Sequence, residues 1–156
     1  WPRRIINLGT TGLNNPFQIH AALDSGGFQT DKDGKELLDH PDFRVSDEKR
    51  SLELVFVPEA NLGLKADAEY PDFVSRGLEL GFLLCPNEVG LELRLQHPNQ
   101  PRGEKLVVAM KPIKDSLGRH NVFSVSSSTS GRWLRGIYHH TFTITGSSLV
   151  FVYPPR

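Results

Sequence analysis

Cys85-Pro86-Asn87-Glu88 is the stretch whose residue types come nearest to a reactive group. If Pro86 opens a helical turn, Cys85 stands at its N-cap, where unpaired backbone N–H groups lower a thiol pKa. Glu88 could then reach back as the acidic member of a capping box. A nucleophilic thiol also needs a base, which one of the six histidines would have to supply through the fold. The apolar run Phe82-Leu83-Leu84 leads straight into Cys85, however, and predicts a thiol that ends a buried strand as a small apolar side chain. A carboxylate nearby raises a thiol pKa as well. The buried reading is the stronger; Cys85 with Glu88, serving a hydrolase or transferase, is the enzyme alternative.

Richer binding chemistry lies between Glu92 and Glu104. Leu91, Leu93 and Leu95 alternate with Glu92, Arg94 and Gln96, a period of two that predicts a strand with the leucines buried and the polar row on the other face. Arg94 would then offer a planar fork suited to a carboxylate or phosphate. Gln100 and Glu104 bracket the turn-rich loop His97-Pro98-Asn99-Gln100-Pro101-Arg102-Gly103. Farther on, Arg132, Trp133, Arg135 and Tyr138 mix basic and aromatic groups on one predicted strand. Arg94, Gln96, Gln100, Glu104 and Trp133 therefore form the predicted ligand-binding set, for an anionic small ligand or an acidic protein partner. A solvated sheet face with cross-strand pairs such as Arg94 with Glu104 accounts for the same residues, and Trp133 also reads as core or rim packing.

Other chemistries find less support. His139-His140 would point to opposite faces of a strand, so the two cannot readily share an ion. The sequence has no His-Glu-x-x-His motif and no calcium loop. Gly9-Thr10-Thr11-Gly12 follows the apolar pair Ile5-Ile6 but lacks the Lys-Ser/Thr ending of a phosphate loop. No Gly-x-Ser-x-Gly elbow is present. Neither a metal nor a cofactor is expected.

The elements that must position these residues change character along the chain. Asn15-Pro16 reads as an N-cap with proline at the first helical position, followed by Ile19, Ala22 and Leu23 on one face and closed by Gly26-Gly27. A short helical turn spans Lys35 to Asp39, ahead of Pro41, and Arg44 to Arg50 reads as a loop. Ser51 to Val57 is a strand ended by Pro58. Pro71 starts a helix from about Asp72 to Leu80, with Gly81 beyond it. Further strands are predicted at Lys105–Lys111, Asn121–Ser126, Trp133–His140 and Leu149–Tyr153. Their short connections favour antiparallel neighbours. The expectation is an α+β fold: an antiparallel meandering sheet of five to six strands, with two or three helices on one face.

Glu79-Leu80-Gly81-Phe82, Leu84-Cys85-Pro86, Glu88-Val89-Gly90 and Leu93-Arg94-Leu95-Gln96, with Gln100-Pro101 and Gly103-Glu104, resemble a family of uncharacterised bacterial proteins of about this length. Asn7-Leu8-Gly9-Thr10, Asp115-Ser116 with Gly118, and Gly131 with Trp133-Leu134 extend the likeness. Asn87 and Lys105 depart from it, standing where the pattern has alanine and tryptophan. The resemblance implies one complete domain, and a setting in mobile or gene-cassette contexts, but no activity.

Composition bounds the rest. At 156 residues the chain fits one domain, 1–156. Eighteen basic and eighteen acidic side chains cancel, which disfavours a nucleic-acid backbone or an anionic membrane as partner. The balance is uneven: Asp31 to Glu48 leans acidic, whereas from Lys105 onward Asp115 is the only acid among seven basic residues. One cysteine excludes an internal disulfide. No apolar run approaches a membrane span or a signal sequence, and the chain opens on Trp1 without an initiator methionine. A small soluble binding or interaction protein of the cytoplasm, monomeric or homodimeric, is the reading these features support.

Overall fold

Leu149-Val150-Phe151-Val152 presents no polar face, and such a strand must lie between layers. In the computed structural model, which describes residues 1–138, 144 and 146–155, all four are buried. The elements run β1 (Arg3–Leu8), α1 (Pro16–Ser25), β2 (Gln29–Thr30), α2 (Lys32–Asp39), β3 (Arg50–Pro58), a 3₁₀ turn (Glu59–Leu62), α3 (Tyr70–Glu79), α4 (Val89–Gln96), β4 (Lys105–Val108), β5 (Ile113–Lys114), β6 (His120–Ser128), β7 (Gly131–Tyr138) and β8 (Ser148–Val152). One sheet holds all eight strands in the order β1-β3-β8-β4-β6-β7-β2, with β5 beside β6.

The α+β class holds, but the sheet is mixed, not a meander, and has more strands than expected. β8 pairs parallel with β4 and antiparallel with β3, and β2 pairs parallel with β7. The chain leaves the β6–β7 hairpin and returns to the middle because its last strand is apolar on both faces and gains most from central burial. β1, β2 and β5 are additional to the predicted strands; β2 and β5 are only two residues each.

Helices cover both faces. Paired residues share a face, so Phe123, Val125, Leu134 and Gly136 lie on one side, and Lys105, Ser126, Trp133, Arg135 and Phe151 on the other. On the first face α4 packs closely: a Cβ at Gly90 would stand 2.6 Å from that of Phe123. α2 also lies here, Asp33 and Gly34 meeting Gly136. α3 lies on the second face, where a Cβ at Gly77 would fall 2.0 Å from Phe151 Cζ. Helices confined to one face are thus corrected: the central strands are apolar on both sides and require a cover on each.

The main local correction is α4. Val89 to Gln96 is a helix, and Val89, Gly90, Leu91, Glu92, Leu93 and Arg94 are all buried. A helix enclosed by protein all round shows no apolar stripe, so its leucines imitated the alternation of a strand. Elsewhere the signals hold. Asn15 caps α1 by accepting from the Gln18 N–H at 2.9 Å, Pro16 opens that helix, and α3 ends ahead of Gly81 at φ 94°. Among the described residues no helix is long and apolar enough to cross a membrane.

Candidate binding site

α4 sends its polar side chains in three directions. Glu88, just before the helix, is buried and accepts from the backbone N–H of Ser46 at 2.7 Å and from the Ser46 hydroxyl, tying the loop ahead of β3 to the helix start. Glu92 is fully buried, accepting from the Thr11 hydroxyl at 3.3 Å and from Gln96 Nε2 at 2.8 Å. Burial raises its carboxyl pKa and the Glu88 charge adds to this, against the two hydrogen bonds. Gln96 turns towards β1, far in function from the row it was expected to join.

Arg94 runs the other way, under the β6–β7 hairpin. Its guanidinium is wholly buried rather than projecting to solvent, because a helix and not a strand carries it. Nη1 donates to Gln100 Oε1 at 2.7 Å and to the carbonyls of Ser126 at 3.0 Å and Trp133 at 3.2 Å; Nη2 donates to the His97 carbonyl at 2.9 Å. Phe28 lies beneath, 4.8 Å from ring centre to the guanidinium carbon. Nε has no partner among the described residues. Burial lowers the Arg94 pKa to about 10, helped by Arg132 and opposed by Glu104.

Gln100 and Glu104 join this network. Gln100 Nε2 donates to Glu104 Oε1 and to the Val125 carbonyl, each at 3.1 Å, and His97 Nε2 lies 3.1 Å from the same Glu104 oxygen. Burial lowers the His97 pKa, with the Glu104 hydrogen bond acting against it. Of the predicted ligand set, Arg94, Gln100, Glu104 and the Trp133 backbone are therefore brought together, and Gln96 is not. The structure uses their hydrogen-bonding groups to hold the loop and the hairpin.

What they hold is a partly open strip on the far side of the sheet. Ser126 and Trp133 are register partners, so Arg94 grips from below the two residues whose side chains stand above. Lys105 is paired to Ser126 in turn, and Arg135 stacks over the Trp133 ring at 4.2 Å. A depression of about 280 Å³ is lined by Glu104, Lys105, Ser124, Ser126, Arg135 and Ile137 among others, so the Glu104 carboxylate shares the wall with the two cations. Half-buried Lys105 has its pKa lowered by burial first and by the Arg135 charge second. Two cations thus press on one another along a row of hydroxyls. Lys105 and Arg135 were visible in the sequence as part of the basic C-terminal half, but only the pairing of β4 with β6 and β7 puts them side by side.

Cys85 lies at the middle of the sheet, beside β8 and the residues that follow β4. It is buried, bridges to Met110, and its thiol donates to the Val150 carbonyl at 3.3 Å. Burial pushes the thiol well above its ordinary range. Pro86 does not open a helix, since α4 begins at Val89, and Glu88 is spent on Ser46. This geometry offers neither the accessibility nor the positive field that a nucleophilic thiol requires. His139 and His140 lie outside the described residues. Asp33, Glu36 and Asp115 bring carboxylate oxygens within 4.8 Å of one another. Arg119 pairs with Asp115 at 2.7 Å and Asp33 at 3.5 Å, while Leu117 and Arg119 N–H groups fill Asp115 Oδ1 and the Ser116 N–H bonds Glu36. These acids tie the β5–β6 turn to α2.

Compared with protein-family models, curated proteins and solved structures, the chain matches none.

Proposed function

We propose that this is a small binding protein that takes an anionic group, phosphate or carboxylate, on the open strip formed by β4, β6 and β7. The single observation that supports the reading is the adjacency of Lys105, opposite Ser126, and Arg135, opposite Ser124: two half-buried cations beside hydroxyl groups. An anion there would relieve the repulsion between Lys105 and Arg135, which is the second cause, after burial, of the lowered Lys105 pKa, and would receive charge-assisted hydrogen bonds. Trp133, with Arg135 already on its ring, supplies an apolar wall for a planar part of the ligand. Arg94 and Gln100 act as positioning residues, fixing the backbone under the strip. A cytoplasmic setting, and membership of the bacterial family that the Glu79–Glu104 residues resemble, belong to the same reading.

A titration of the labelled protein with inorganic phosphate and with phenyl phosphate, followed by amide and indole NMR shifts, tests it. Saturable shifts at Ser126, Ser128, Arg135 and the Trp133 indole are expected, larger for the aryl ester. They should vanish in Lys105→Ala/Arg135→Ala. Shifts that never saturate, or that survive in the double variant, would overturn the reading.

A further inference from the structure

β1 forms one edge of the sheet and pairs only with β3. The Pro2 carbonyl extends the pairing by accepting from the Phe56 N–H at 2.9 Å. Antiparallel alternation then directs the backbone groups of Arg4, Ile6 and Leu8 inward to β3, and those of Arg3, Ile5 and Asn7 outward. At Asn7 the outward pair is already matched. The Asn7 N–H donates to Gln96 Oε1 at 2.9 Å, and Gln96 Nε2 donates to the Asn7 carbonyl at 2.7 Å. A side-chain amide here makes the two hydrogen bonds that a neighbouring strand would make, and Glu92 holds it in place. At Arg3 and Ile5 the described residues record no such partner, and Ile5 is 67% exposed.

We infer that the Arg3–Ile5 edge of β1 receives a short acidic extended peptide segment, which adds a strand to the sheet. Main-chain hydrogen bonds to Arg3 and Ile5 give such a segment its register, and Gln96 marks where it must stop. Alternate side chains would lie over a groove of about 580 Å³ whose lining includes Ile5, Arg50, Tyr153 and Pro155. Charge complementarity selects acidic residues. Arg3, Arg4 and Arg50 lie on the two outer strands and Lys49 just before β3; of the acids beside them, Glu53 is engaged by Arg3 at 3.3 Å and Glu48 adjoins Lys49. A second copy of β1 fits worse. Antiparallel pairing through Arg3 and Ile5 alone sets Arg4 opposite the other Arg4, and like charges directly opposed are destabilising. Pairing centred on Ile5 needs the Asn7 groups that Gln96 holds.

Fluorescence anisotropy of the full chain with a labelled Val-Glu-Val-Glu-Val-Glu peptide, beside its lysine counterpart, provides the test. Saturable binding of the acidic peptide is expected, with slowed hydrogen exchange at the Ile5 amide and affinity for the lysine peptide weaker by roughly tenfold or more. Ile5→Pro removes one outward N–H and leaves the pairing to β3 intact, since proline is tolerated on an open edge; it should abolish binding. Arg50→Glu, whose ladder partner is Leu8 and not the outward-facing Arg3 or Ile5, should weaken it about tenfold. Equal affinity for both peptides, or binding unchanged in these variants, would overturn the inference. Slowed exchange at Ile5 that grows with protein concentration in the absence of peptide would assign the edge to a second copy and overturn it too.

Discussion

Gln100 Oε1 accepts from Arg94 Nη1 at 2.7 Å, and through this contact α4 is joined to the loop that leads into β4. The same guanidinium reaches the carbonyls of Ser126, Trp133 and His97. Removing it leaves four acceptors short of a donor at once, one of them buried and three partly buried. Arg94→Ala should cost about 3–5 kcal/mol in urea unfolding, the range for breaking a buried charged network from one side. Arg94→Lys keeps the charge but loses the fork and should still cost about 2 kcal/mol. A loss below about 1 kcal/mol for Arg94→Ala would show that the network does not hold the hairpin.

Cys85 should resist alkylation in the folded protein at mildly alkaline pH and react fully once denatured. Its buried thiol and the buried Tyr70 hydroxyl both have raised pKa values, chiefly through burial. For such groups the folded chain keeps protons that the unfolded chain releases. Stability is therefore full below the unfolded pKa values, about 8.5 for the thiol and about 10 for the phenol, and falls above each. The expected slope is up to about 1.4 kcal/mol per pH unit for each group. Urea unfolding from neutral to strongly alkaline pH measures it, and Cys85→Ala should remove the earlier part of the decline.

Glu92 is predicted to work against the fold near neutral pH. Its raised carboxyl pKa means that the folded chain holds this proton longer than the unfolded chain does. Its contribution is therefore greatest below about pH 4.3 and is lost as the pH climbs through the raised folded value. Glu92→Gln keeps the shape, and the difference in unfolding free energy should move in favour of the variant between pH 4 and pH 7. A difference that moves the other way would mean that the carboxylate is better solvated than its burial implies.

Gly90→Ala and Gly77→Ala should both destabilise, although alanine is the better helix former by about 1 kcal/mol. The new methyl groups would stand 2.6 Å from Phe123 Cβ and 2.0 Å from Phe151 Cζ. Overpacking of this kind costs about 1–3 kcal/mol. Thermal unfolding should show lower midpoints for both variants. An unchanged midpoint for Gly90→Ala would indicate that α4 can move off the sheet without loss.

Much of the local structure was legible. Asn15-Pro16 and Pro71 mark helix starts, and the apolar runs Leu54–Val57 and Leu149–Val152 mark strands, because caps, prolines and consecutive apolar residues act within a few positions of themselves. Leu91 to Leu95 misled because a fully enclosed helix need not be amphipathic. The candidate site was legible only in its ingredients. Arg94, Gln100 and Glu104 do meet, as support beneath the strip, and Trp133 is shared between that support and the exposed side.

By itself the sequence determined the α+β class, the approximate places of most helices and longer strands and the basic bias of the chain beyond Lys105, and it favoured a buried Cys85 over a reactive one. Tertiary structure alone decided that β8 threads between β3 and β4, that α3 covers one face and α4 the other, and that Lys105 comes beside Arg135. The physical reason is range. Capping, turn chemistry and periodicity are properties of neighbours in the chain, whereas strand order and the company a buried charge keeps depend on surfaces brought together from distant positions. Arg94 makes the case: its charge and its alternating leucine neighbours were plain, yet only the packing of α4 beneath the hairpin turned an expected ligand hook into the brace of the sheet.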